Sequence, residues 1–335
     1  MKSPLTGKEM KRMVRKDQLV FRKETFSYLH HYYLCLDSNE EFTDEELDTI
    51  NLNQVYNQYR EKYNLPFPDE IKNTREQYGL SAAKMSEVLG LGINHYRLYE
   101  NGDVPSISNA RLIQAAKAPF EFKKFLLASG AFKESSLSTV LRNIDDLIAK
   151  QNDFFYNALP QYLMGGFEIC KPSLYTGYIT PNLDKVIELL VYFTQRLDVY
   201  KTKLNILLFY TDFYHFKHNG FGITGLCYRA LQWGPIAINF DSIYEYAVNK
   251  GYIEIIYQQL NDEKYEEIFL HGPIQLSISL IDEFELSTAQ YIIDRFCNIS
   301  KKEIIQCSHQ EKAWIENVET KNKISYEYAF ELTEV

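Results

Sequence analysis

No run of about 18 apolar residues occurs anywhere in this 335-residue chain, which argues against a helical membrane span. The opening MKSPLTGKEM carries charges where a signal peptide needs an apolar centre, so a cytoplasmic protein without a membrane partner is expected. The five cysteines, Cys35, Cys170, Cys227, Cys297 and Cys307, lie far apart with no CxxC pair. They spell neither a disulfide framework nor an evident metal site, and are expected as free thiols. A Gly-rich phosphate loop, a GxSxG and an HExxH are all missing, as are internal repeats and low-complexity tracts. Asp212, His215 and His218 sit at helical spacing, but no third metal ligand accompanies them. The chain is therefore expected not to be an enzyme and to need no cofactor.

What is present is the composition of a folded globular protein, with 45% apolar and 24% charged residues. The length suggests two or three domains. Tyrosine is abundant, at 26 residues; it supplies large apolar area with a polar tip, although a bias toward AT-rich codons accounts for it equally well. The net charge of −9 argues against a nucleic-acid binder when taken whole. Its distribution changes that inference. Residues 1–128 hold 18 Lys+Arg against 18 Asp+Glu, while residues 129–335 hold 18 against 27. The acidity thus belongs to the C-terminal part, where it forms a solvated surface or meets a basic partner.

From Met13 to Cys35, MVRKDQLVFRKETFSYLHHYYLC is rich in β-branched and aromatic residues and reads as a β-hairpin or small meander. Thr43 stands as N-cap before Asp44, Glu45 and Glu46, opening a helix that continues through LNQVYNQYREKY. Pro66 and Pro68 end that segment. Short helices separated by Gly and Pro then follow from Asp69 to about Ser129. FKESSLSTVLRNIDDLIAKQNDFFYNAL reads as a connecting helix and LMGGFEICKPSLYTGYITPN as loop. Beyond it, LDKVIELLVYFTQRL, KLNILLFYTDFYHFK and FDSIYEYAVNKG read as helices, and YIEIIYQQ and QLSISLI as candidate strands.

The strongest signal is GLSAAKMSEVLGLGINHYRLYENGDVPS, residues 79–106. Ser81 stands at an N-cap position, and Met85, Leu89, Ile93 and Tyr96 form the apolar side of two short helices joined across Gly90-Leu91-Gly92. That is the pattern of a helix-turn-helix, whose second helix enters the major groove. With Tyr96 and Tyr99 inward, Asn94, His95, Arg97 and Leu98 face the groove; Asn pairs with adenine and Arg with guanine. Ser81 and Lys84 are placed to touch phosphate. Each of these side chains has a plainer reading as a solvated helix residue. Glu100 would repel phosphate and is assigned to a structural ion pair with Arg75.

The run NLPFPDEIKNTREQYGLSAAKMSEVLGLGINHYRLYENGDVPSISNARLI resembles the DNA-binding half of the MqsA/YgiT-type antitoxins, within the Xre/Cro group of five-helix regulators. The resemblance implies a homodimer on a palindromic double-stranded operator, with base reading by an Asn and an Arg. Asn94 matches the former; the Arg position falls on Leu98, one place after Arg97. The same family opens with a zinc module on two CxxC pairs, and the corresponding positions here are Ser3, Thr6, Cys35 and Ser38. One thiolate among three hydroxyls is a poor zinc set, so this module is expected to fold without metal. His30 and His31 do not repair it, because adjacent strand residues face opposite ways.

Further on, KLNILLFYTDFYHFK followed by GITGLCYRALQWGPIAINFDSIYEYA resembles the SocA-like domain, also called Panacea. The likeness rests on Lys203, Leu204, Asp212, Gly225, Tyr228, Gly234 and Pro235, and implies neutralisation of a cognate protein toxin. A core helix over 204–216 and a turn at Gly234-Pro235 are the plainer readings of those residues. The expected architecture is α+β and mostly α. It comprises a β-rich zinc-ribbon-like module with a helix (1–63), a five-helix Xre-type helix-turn-helix (64–129), a connecting helix and loop (130–181), and a largely helical SocA-like domain (182–335). The expected function is that of a type II antitoxin that binds its toxin, through residues left unassigned, and represses its own operon. The alternative is a phage-related or mobile-element regulator, or a proteolytic adaptor, without a toxin.

Overall fold

The computed structural model describes every residue except 152–153, 166–170 and 262–263, and about half of the chain is helical. It folds as two units, Met1–Tyr156 and Asn157–Val335. Among the described residues no helix is long and apolar enough to cross a membrane.

In the first unit, β1 (Lys11–Phe21) and β2 (Glu24–Leu34) pair antiparallel with Lys11 opposite Leu34 and Phe21 opposite Glu24, and β3 (Glu41–Phe42) adds a short third strand beside β2. The hairpin turns on Arg22 and Lys23, at φ 49° and 71°, the left-handed pair that matches strand twist. Glycine is the easier residue there. Arg22 is held in place by donating to Val104 O at 2.6 Å and Pro105 O at 2.9 Å.

α1 (Glu45–Tyr63) starts one residue later than the Thr43 cap expected from sequence. Asp44 is the N-cap, and its carboxylate accepts from Leu47 N at 3.0 Å, an anionic cap that suits the helix N-terminus better than a hydroxyl. The helix lays a row of side-chain amides along β2. Asn51 Oδ1 accepts from His31 N and Asn51 Nδ2 donates to His31 O; Gln54 makes the same pair of bonds with Leu29, and Gln58 donates to Ser27 O. Backbone groups that an exposed strand edge would leave for another chain are thereby satisfied from within. Below, Phe26, Val55, Tyr59, Leu65, Val104 and Ala110 form one core. Arg60 is fully buried and donates to Asn57 Oδ1 at 2.7 Å and Gly102 O at 2.5 Å; desolvation pulls it down to about 10.

Five short helices follow: α2 (Pro68–Glu76), α3 (Ala82–Val88), α4 (His95–Glu100), α5 (Ile107–Ala116) and α6 (Pro119–Ser129). Then comes α7 (Glu134–Gln151). Val140 and Ile144 of α7 are buried in the same cluster as Ile71, Met85, Tyr96 and Phe122, so α7 shares the helical core of this unit.

The second unit begins within α8 (Phe154–Leu163). It continues with α9 (Leu183–Thr194), β4 (Val199–Tyr200), α10 (Lys201–Asn219), β5 (Tyr228–Leu231), β6 (Gly234–Ala237), α11 (Phe240–Asn249), β7 (Ile253–Asn261) and β8 (Lys264–His271). α12 (Glu283–Phe296), α13 (Lys301–Gln310) and α14 (Lys312–Ile315) follow, and a 3-10 turn at Tyr326–Glu331 comes after them. The sheets are small and antiparallel, with orders β4-β8-β7 and β5-β6. α10 buries thirteen of its nineteen residues, the mark of a helix surrounded on all sides, and β6, α12 and α13 pack around it.

The structure differs from the sequence-based expectation at two places in this unit. Gly234-Pro235 begins β6 and is not itself the turn; the chain turns at Gln232-Trp233. QLSISLI, residues 275–281, is not a strand. Its donors go elsewhere, since Ser279, Leu280 and Ile281 give their N–H groups to the carboxylate of Glu188, a buried residue of α9. β8, whose KYEEIFLH carries three charges, takes the strand position beside β7 instead.

Candidate functional site

In the first unit the residues singled out from sequence gather around α3 and α4. Ser81 caps α3, its hydroxyl accepting from Lys84 N at 3.2 Å. α4 is fixed from beneath by its tyrosines: Tyr96 OH donates to Ile71 O at 2.8 Å, Tyr96 N donates to Ser86 Oγ at 3.1 Å, and Tyr99 OH accepts from Asn109 at 2.8 Å. Burial pushes the Tyr96 phenol well above its ordinary value, so it remains a donor at all working pH. Arg75 donates from Nε to Glu100 at 2.6 Å and from Nη1 to Leu80 O at 3.0 Å, tying α2 to α4.

With that face buried, Asn94, His95, Arg97 and Leu98 are exposed on the other. His95 is constrained more than the rest. Its ring stacks on Tyr99 at 5.9 Å and lies over Gly92, where an added Cβ would meet Nδ1 at 2.4 Å. Lys84 is engaged as well, donating to Glu87 at 2.6 Å and Ala131 O at 2.9 Å, with its ammonium 4.9 Å from the Phe132 ring centre. Ile93 departs from its expected place in the apolar interior. It is 81% exposed, because α3 ends at Val88 and α4 starts at His95, so the connection is longer than a three-residue glycine turn.

Ser3, Thr6, Cys35 and Ser38 converge at the N-terminal end of the first unit. Thr6 Oγ1 lies 3.4 Å from Cys35 Sγ, and the hydroxyls of Ser3, Ser38 and Thr6, in that order of effect, hold the thiol down to about 6. Cys35 is only 2% exposed, yet it lies just under the surface, so hydrogen bonding outweighs desolvation. One sulfur among three hydroxyls does not fit Zn²⁺. Among the described residues no group of three or more His, Cys, Asp or Glu is placed to hold a metal ion. Cys227, Cys297 and Cys307 are free thiols like Cys35, and Cys170 lies outside the described residues.

The second unit is organised around a buried carboxylate. Asp212 Oδ1 accepts from Ile223 N at 2.8 Å and Thr224 N at 2.9 Å, and Oδ2 accepts from the Thr224 hydroxyl and from Tyr228 OH at 2.7 Å. Burial raises its pKa and these four bonds oppose the rise. Both of its oxygens are thus engaged within the fold. Lys203 Nζ reaches Ile299 O at 2.8 Å and Cys297 O at 3.2 Å, joining α10 to the end of α12. Gly225, at φ 73°, lies so close to Pro181 that a Cβ would meet its Cα at 2.6 Å; at Gly234 a Cβ would meet Ser308 Oγ at 2.8 Å. Leu204 and Tyr228 are fully buried, and Pro235 is buried in β6. Each residue of the sequence signature over 203–235 thus has a packing role.

His215 is buried, with Nδ1 2.8 Å from Phe221 O and with Nε2 3.1 Å from Asn219 Nδ2. Desolvation holds it down to about 4. A histidine depressed from about 6.5 contributes stability that is complete above pH ~6.5 and lost as pH falls toward 4. Asp212, Glu285 and Glu311, all pushed up by burial, act in the opposite sense. Comparison with His215→Gln isolates the histidine. The stability gap between wild type and variant, from urea unfolding, should narrow by roughly 2–3 kcal/mol between pH 7.5 and 4.5; a gap that does not move contradicts the burial of a neutral ring.

Residues 204–315, about a third of the chain, match the model of the antitoxin SocA-like, Panacea domain. The matched segment runs from α10 to α14 and contains Asp212, both hairpins and the aromatic interior around them. No curated protein matches the chain, and no solved structure does. The second unit is thus similar over these residues to an antitoxin-type domain, which suggests a role related to toxin–antitoxin systems.

Proposed function

We propose that this protein is the antitoxin of a type II toxin–antitoxin system. The second unit binds and neutralises a protein toxin, and the first unit binds the operon's promoter as a homodimer and represses it. The match of residues 204–315 to the antitoxin domain carries this reading. The acidic balance of the C-terminal part favours a basic protein partner over nucleic acid there. The buried, fully bonded state of Asp212 favours binding over catalysis. A cytoplasmic location follows from the proposed partners.

The DNA-binding half rests on α3 and α4 as a helix-turn-helix within the five helices α2 to α6. Buried Tyr96 and Tyr99 leave Asn94 and Arg97 outward. In this reading Asn94 pairs with adenine and Arg97 with guanine or phosphate, while the N-terminus of α3 at Ser81 meets the backbone. Lys84, held by Glu87 and Ala131 O, adds charge near that backbone without touching it. His95 orders the start of α4 through its stack on Tyr99. Two copies place their α4 helices about 34–36 Å apart on a palindromic site.

Exposed Ile93 and Leu98 give the reading face an apolar character suited to thymine methyl groups. Replacing thymine by uracil throughout a duplex of the chain's own promoter region should weaken wild-type binding about fourfold for each methyl group that this face covers. Ile93→Ala should bind the thymine duplex less tightly and respond less to uracil. Equal responses in wild type and variant would exclude Ile93 as a reader.

The antitoxin reading is tested by co-expression with the product of the adjacent reading frame. Growth arrest by that product alone, relieved by this chain, is the expected result. A neighbour that is harmless, or whose toxicity the chain does not relieve, contradicts the proposal.

A further inference from the structure

One flank of α12 carries exposed aromatic residues. Its inner side buries Thr288, Ala289, Ile292, Ile293 and Phe296 in the usual way. A stripe flanking that side, at helical spacing, holds Phe284, Ser287 and Tyr291, of which Phe284 is 54% and Tyr291 43% exposed. Rings from α10 extend it sideways. Half-buried Tyr214 stacks on Tyr291 at 4.6 Å and reaches His218 at 4.5 Å, while the Phe284 ring lies 5.3 Å from the buried His215 beneath it. Two neighbouring helices thus present exposed Phe284 and Tyr291 and half-buried Tyr214 to solvent, and clustered exposed aromatic rings are the kind of feature that marks an interaction site.

The exposed charges around the strip that stand outside ion pairs are acidic. Asp282 and Glu283 are exposed at one end of α12 and Asp294 at the other. The nearby cations are committed to other partners: Lys185 to Glu285, Arg295 to Glu334, and Lys217 to Val335 O. Residues 157–335 as a whole carry 15 Lys+Arg against 23 Asp+Glu. A nucleic acid is repelled by such a rim. A second copy of the same face would set aspartates and glutamates against each other.

We propose that this aromatic strip of α10 and α12, rimmed by Asp282, Glu283 and Asp294, is the docking surface for a Lys/Arg-rich segment of the protein toxin. This rests on the reading of the second unit as the toxin-binding part. The aliphatic stems of the basic side chains lie along the rings of Phe284 and Tyr291, their cations meet the ring faces, and their heads reach the acidic rim.

The test uses the full chain and the product of the adjacent reading frame, with the affinity of the purified pair and growth rescue as readouts. Phe284→Ala with Tyr291→Ala should weaken the complex at least about thirtyfold and abolish rescue, whereas Phe284→Tyr with Tyr291→Phe should bind like wild type. Glu283→Lys with Asp294→Lys should weaken it about tenfold and flatten its salt dependence. Trp233→Ala, at an exposed aromatic on the β5–β6 turn, should change nothing. Wild-type affinity in the double-alanine variant overturns the assignment and leaves the antitoxin reading standing. So does conversion of a dimer to a monomer by that variant, which would make the strip a contact between copies. Absence of binding by the wild-type chain overturns the antitoxin reading itself.

Discussion

Asp212→Ala is expected to destabilise the second unit by about 4 kcal/mol or more. The carboxylate satisfies the N–H groups of Ile223 and Thr224 and the hydroxyls of Thr224 and Tyr228, all in a site without solvent access. A buried donor left unpaired costs about 1–3 kcal/mol, and the alanine strands several at once while opening a small cavity. Against a domain stability of about 5–15 kcal/mol that is a large share of the margin. Asp212→Asn keeps one oxygen for the two backbone donors but sets an amide donor against two hydroxyls, so it should cost less, about 1–2 kcal/mol. Urea unfolding of the three proteins orders them wild type, Asn, Ala. An alanine variant as stable as wild type but defective in binding or turnover would contradict the structural role assigned to this residue.

Some of this organisation is legible in the sequence because its signals are local. The 13–35 hairpin follows from β-branched and aromatic alternation, and the burial of α10 from a helical stretch that is apolar on every side. Tyr96 and Tyr99 fall on one helix face by spacing alone, which leaves Asn94 and Arg97 on the other. What is not legible depends on partners distant in the chain. No local pattern at Ser279-Leu280-Ile281 announces that Glu188, some ninety residues earlier, collects their N–H groups and removes them from any sheet. Asn51, Gln54 and Gln58 look like ordinary polar residues of a helix until β2 lies beside them. Ile93 looks like core because its spacing fits a helix that begins before it, and the connection between α3 and α4 runs longer than the glycines suggest. The aromatic strip on α12 is hidden for a related reason. Phe284 and Tyr291 are spaced like any amphipathic face, and only the packing reveals that the inner face is supplied by other residues.

The second large effect concerns the face of α4 proposed to read DNA. Asn94→Ala with Arg97→Ala removes two side chains proposed to enter the major groove, each worth about 1–3 kcal/mol of base discrimination. Because the proposed dimer would present each change twice, the loss in operator affinity should exceed a hundredfold. Both residues are exposed and neither supports the core, so the thermal stability of the variant should stay within a few degrees of wild type. Toxin neutralisation, assigned to the other unit, should persist. The most direct test of the proposed function is therefore a single double variant assayed twice: in a gel-shift with the chain's own promoter region, and for growth rescue against the product of the adjacent reading frame. Loss of the shift with rescue intact is the predicted result. Unchanged promoter affinity, or loss of both activities together in a folded protein, would contradict the division of labour between α4 and the antitoxin-type domain.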